Sequence, residues 1–153
     1  MTITNAPKPV SADHWKGRLS KARGFLRVAR TAVEFHEPGY DPDTYRANVV
    51  LAAIAYIDTL TAALRRQVNQ NDHQSAVKLL RAAMGNKLPN AVENKLRDII
   101  GQKDQVEYGA RLGRLEEASR MMEDIEAVAE WAEQQISEIF PGESNLISAS
   151  TRD

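Results

Sequence analysis

The chain has 153 residues, no cysteine, three histidines and a formal net charge of −1, which excludes a disulfide framework, a thiolate metal site and a cysteine nucleophile. Hydrophobic residues make up 42% and charged residues 27%, enough for the core and the solvated surface of one domain. The small net charge conceals an asymmetry. Residues 1–33 carry seven basic side chains against Asp13, a net of +6, and residues 115–143 carry nine acidic ones against Arg120, a net of −8.

The first ten residues read as a flexible lead, because MTITNAPKPV has no apolar segment of the kind a secretion signal needs. Ser11 is the expected N-cap of a first helix over 12–35. Its stripe is Trp15, Leu19, Ala22, Leu26, Ala29 and Val33, spaced by fours and threes. The run HEPGYDPD (36–43) stops it with two prolines and a glycine. Asp43 is the expected cap of a second helix over 44–68, apolar almost all round and therefore central. Its apolar run, Ala47 to Leu64, is interrupted by Asn48, Asp58, Thr59 and Thr61 and falls short of the roughly 20 residues of a membrane span. A cytoplasmic chain with no membrane partner is the expectation.

A short helix over 73–84 carries Ala76, Val77, Leu80 and Met84. Asn90 and Glu93 have capping-box spacing for a helix over 91–108, with stripe Val92, Leu96, Ile99 and Val106. Gly109 and Gly113 bracket a turn. The last helix, 114–140, repeats Leu115, Ala118, Met122, Ile125, Ala129, Ala132, Ile136 and Ile139 in steps of three and four. Pro141 and Gly142 end it, and residues 141–153 read as a flexible tail. The fold class is all-α: an up-and-down bundle of four long helices and one short one over 11–140.

Few motifs carry chemistry. There is no Glu-x-x-His pair of a di-iron bundle, no phosphate-binding glycine loop and no nucleophile elbow, so no cofactor and no metal is expected. His14, His36 and His73 each sit at or near an expected helix end. Within GQKDQVEYGAR (101–111), Lys103 stands where the stripe calls for an apolar residue, and Glu107 lies one turn beyond it. Two readings are open. Lys103 either snorkels outward and pairs with Glu107, or joins Asp104, Glu107, Tyr108 and Arg111 as a polar cluster in a cleft. The basic side chains also have two readings. Lys16, Arg23, Arg27 and Arg30 of the first helix, with Arg111, either contact phosphates or, on the first helix, pair with the acidic last helix.

The core-forming LAAIAYIDTLTAAL, the polar turn with a histidine before AVKLL, then LRDIIGQKDQVEYGA and a long final helix resemble the HEPN-domain family over about residues 15–140. The resemblance implies an all-α bundle that homodimerises. It also implies a toxin–antitoxin or phage-defence setting, with RNA, an antitoxin or a nucleotidyltransferase as partner. Many members are metal-independent RNases with an Arg followed four to six positions on by a His. Here Lys103 and Asp104 stand at that place, no histidine follows, and Tyr108-Gly109 marks a variant class. Arg66 and His73 are the one literal Arg-x6-His match, but they lie in the turn after the second helix. The resemblance therefore implies binding of RNA or protein without standard catalysis. The alternatives are an active RNase built on Lys103, Asp104, Glu107 and Tyr108, and a helical adaptor with no nucleic-acid role. No group in that cluster has an ordinary pKa near 7, which weighs against cleavage through the 2′-hydroxyl.

Overall fold

Side chains three and four positions apart share a helix face, and the stripes expected from the sequence are the faces that meet in the core. The computed structural model describes residues 6–70 and 72–143, and they form an all-α bundle. Helix α1 (His14–Glu34) buries Trp15, Leu19, Ala22, Leu26 and Ala29. Helix α2 (Asp43–Arg65) buries residues all round its circumference and packs on every other helix of the bundle. By length and composition α2 could cross a membrane, but 67% of its apolar window lies inside the protein, the burial of a core helix. Helices α3 (His73–Met84), α4 (Asn90–Gly101) and α5 (Lys103–Tyr108) follow, and α6 (Leu115–Ile139) closes the bundle. The rings of Trp15 and Phe140 stack 4.1 Å apart, fastening the end of α6 to the start of α1.

The acidic last helix lies along the basic first one. Arg23 donates to both carboxylate oxygens of Glu133, at 2.8 and 2.6 Å. Arg30 forks onto Glu126 at 2.7 and 2.8 Å. Numbers rise along α1 as they fall along α6, so the two helices run antiparallel.

Several local expectations are corrected. Lys8–Pro9, assigned to the flexible lead, pairs antiparallel with Gln67–Val68, forming strands β1 and β2. Val10 extends the pairing by donating its N–H to the carbonyl of Arg66. Arg66 ends α2 in the left-handed region, φ 51°, which turns the chain to make β2. Ser11 does not cap α1, which begins at His14 with Asp13 before it. Asp41, not Asp43, receives the first free N–H of α2, that of Asp43, at 3.0 Å. Glu93 makes no capping box with Asn90, because Arg81 and Arg97 hold its two oxygens at 2.5 and 2.9 Å. The long helix expected over 91–108 is divided at Gln102 into α4 and α5. The expected tail, past Glu143, lies outside the described residues.

Candidate functional site

Asp72 caps α3 with its side chain, accepting from the backbone N–H of Ser75 at 3.1 Å. That cap places His73 in the first turn of α3. Across from it, the break at Gln102 starts α5 with Lys103. The two helix starts form an open groove of about 450 Å³ lined by Asp72, His73, Gln74, Ile100, Gly101, Lys103 and Asp104. The groove therefore contains a histidine from a segment thirty residues away, which inspection of the 101–111 segment alone misses. The sole signal for it in the sequence is the capped start of α3.

Lys103 takes the paired arrangement: its Nζ lies 2.8 Å from Glu107 Oε2 and 5.5 Å from the centre of the Tyr108 ring. The hydrogen bond that Lys103 donates to Glu107 pushes the Lys103 pKa above its ordinary value, the direction opposite to that needed by a lysine base at neutral pH. Tyr108 is exposed, and Asp104 and Glu107 are exposed as well. His73 moves the other way. Burial first, and then the charge of Lys103, lower its pKa, against the opposing pull of Glu107, Asp72 and Asp104. Its imidazole is thus neutral at pH 7, able to accept a proton. One cation and three carboxylates around the groove make it acidic, and an acidic groove disfavours a phosphate backbone.

Most of the candidate phosphate contacts are taken up in ion pairs. Arg23 and Arg30 are held by α6. Lys16 pairs with Asp13 at 3.4 Å, and Arg111 pairs with Glu117 at 3.0 Å. Arg27 is exposed, with no ion pair described for it. Lys16, Arg23, Arg27 and Arg30 share one face of α1, so what limits that face is ion pairing, and Arg111 lies apart from it, before α6. His14 begins α1, and His36 Nδ1 lies 2.8 Å from the Tyr45 hydroxyl. Neither lines the groove. Among the described residues no three His, Asp or Glu side chains are placed to hold a metal ion.

Beside the groove the surface turns apolar. Phe35, Tyr40, Tyr108, Leu112 and Leu115 are five of the eight exposed large hydrophobics among the described residues. They fall in two segments tied together where Asp41 accepts the N–H of Gly113 at 3.0 Å. Gly113 is required there, because a Cβ on it would meet Asp43 Oδ1 at 2.2 Å.

Sequence reading also missed Arg46. It is buried to 1% exposure and donates to Asp43 Oδ1 at 2.7 Å, to Met121 Sδ at 3.1 Å and to the side-chain oxygen of Gln102. The Asp43-x-x-Arg46 spacing is the one sign of it in the sequence.

Comparison with family models, with curated proteins and with solved structures finds no match to this chain.

Proposed function

We propose that this chain is a HEPN-like helical protein of the toxin–antitoxin or defence type that acts by binding protein, first of all a second copy of itself, and not by cleaving RNA. The observation that carries the reading is the gathering of Phe35, Tyr40, Tyr108, Leu112 and Leu115 on two segments joined at Asp41 and Gly113. Large apolar side chains left exposed on neighbouring segments point to an interaction site. The engagement of Lys16, Arg23, Arg30 and Arg111 in ion pairs favours protein over RNA as the partner, and an antitoxin or a nucleotidyltransferase fits the family resemblance. Light scattering at tens of micromolar is expected to give twice the 17.0 kDa of the chain, and Tyr108→Glu with Leu112→Glu should give the monomer. A wild-type monomer under those conditions overturns the reading.

The presence of His73 in the groove with Lys103 and Asp104 favours a second reading. A metal-independent RNase would use the neutral His73 to take the 2′-hydroxyl proton and Lys103 to offset charge on the phosphate. Cleavage by wild-type protein, lost in both His73→Gln and Lys103→Met, would make this reading the correct one. The expected result is no cleavage, with an active RNase run alongside as control. Lys103→Met should leave stability unchanged or slightly raised, because methionine continues the stripe of Leu96 and Ile99.

A further inference from the structure

A buried arginine is an unusual choice for a core. A well-packed apolar side chain of similar volume is often as stable or more so, so the three hydrogen-bond partners of Arg46, with Glu117 3.9 Å away as a further ion-pair partner, call for an explanation other than stability. Its guanidinium reaches outward from α2 in a fixed fork. One arm meets Asp43 of its own helix, the Nε meets Met121 of α6, and the last arm meets Gln102, the single residue between α4 and α5. Gln102 is held at its other end too, its Nε2 donating to the carbonyl of Asp98 at 3.1 Å. The backbone bond from Val106 N–H to the Gln102 carbonyl, 3.0 Å, then starts α5. A helix of six residues has almost no stability of its own, so its direction depends on how that junction is held. Lys103 is the next residue along the chain.

We propose that Arg46 is the positioning residue of the groove: by gripping Gln102 it fixes the break between α4 and α5, and so fixes where Lys103 stands against His73. Asp43 lies at the same junction, since the carboxylate that receives Arg46 leaves no room for a Cβ on Gly113, whose N–H is held by Asp41 in the turn that follows α5. The groove and the apolar end are thus set from one point inside the core. This inference concerns the geometry of the groove and is independent of whether the chain dimerises.

The test uses the full chain and a readout local to the groove. Gln102 is partly exposed, so Gln102→Leu removes the acceptor for Arg46 without opening the core. The groups that face His73 are Lys103, Asp104 and Glu107 from α5 and Asp72 beside it, so its titration, followed by NMR, reports where α5 lies. Lys103→Met sets the reference, a His73 pKa raised by loss of the neighbouring cation. Gln102→Leu is expected to shift the His73 pKa away from the wild-type value, because Lys103, Asp104 and Glu107 move together with α5, and to speed amide exchange at Val106 by roughly tenfold, with α1 and the middle of α2 unchanged. Gln102→Glu, which restores an acceptor for Arg46, should return Val106 exchange to the wild-type rate. An unaltered His73 titration and Val106 exchange in Gln102→Leu overturns the proposal. Faster exchange spread evenly over all helices overturns it as well, because that would make the bond a general support of the fold.

Discussion

The seam between α1 and α6 and the end of the bundle around α5 are built on opposite terms. At the seam the strong features are paired inside the chain: basic helix against acidic helix, Arg23 on Glu133, Arg30 on Glu126, with Arg27 left exposed between them. Glu133 also receives the hydroxyl of Tyr56 at 3.0 Å, so this pair is woven into the core. At the α5 end the features are left unmatched. Tyr108 and Leu112 are 77% and 78% exposed, and His73 looks into an open groove. The contrast teaches where to look for function. Charge that is cancelled internally specifies the fold, and surface that is left over is available to a partner.

Reversing the best-matched pair should break the contrast most severely. Arg23→Glu puts two carboxylates in the half-buried space shared with Tyr56, and urea unfolding is expected to show a loss of about 3 kcal/mol. Adding Glu133→Arg should recover most of it. If Arg23→Glu were neutral, the seam would be decorative. At the other end, Gly113→Ala drives a methyl group into Asp43 and should lower stability by about 2 kcal/mol. The same variant should free the 109–114 turn, so faster exchange at the Gly113 amide position is the accompanying check.

A third effect comes from the α1–α2 packing. Asp58 lies 3.1 Å from Arg18, yet burial outweighs that attraction and raises its pKa to about 6 from 3.8. Between those two values the folded chain holds a proton that the unfolded chain has released, so this contribution to stability falls as pH rises through the window. Wild type should therefore lose stability relative to Asp58→Asn between pH 4 and pH 7, on the order of 2 kcal/mol. A difference between the two proteins that does not vary with pH would refute it. The smallest effect belongs to the exposed pair. Arg30→Ala should change stability by roughly 0.5 kcal/mol or less, and a loss approaching that of Arg23→Glu would show that the two pairs are not distinct.

How much of this was legible follows the same division. The helices and the basic–acidic seam could be read because they depend on periodicity and on net charge, both properties of long segments. The break at Gln102 could not, because Val92, Leu96, Ile99, Lys103 and Val106 keep helical phase straight across it. Nothing in that spacing announces that a side chain from α2 holds the intervening residue. Arg46 itself sits in the first turn of a helix, where an arginine ordinarily reaches water. His73 could be read as a helix start but not as a member of the groove, since the groove is made by two helix starts far apart in sequence. Strands β1 and β2 escaped notice because two-residue pairing rests on backbone bonds and leaves no alternation to see.

The central place of α2 also has a consequence for how the chain is made. During synthesis α1 is already available when α2 emerges, so one side of α2 can be covered at once. Another flank belongs to α6, which begins only at Leu115, late in the chain. Until then the most apolar helix of the protein, with Arg46 and Asp43 at its base, has a bare flank. Folding on the ribosome therefore completes only with the last helix, and a chain cut short before α6 keeps helices α1 to α5 with one flank of α2 uncovered, a species prone to aggregate.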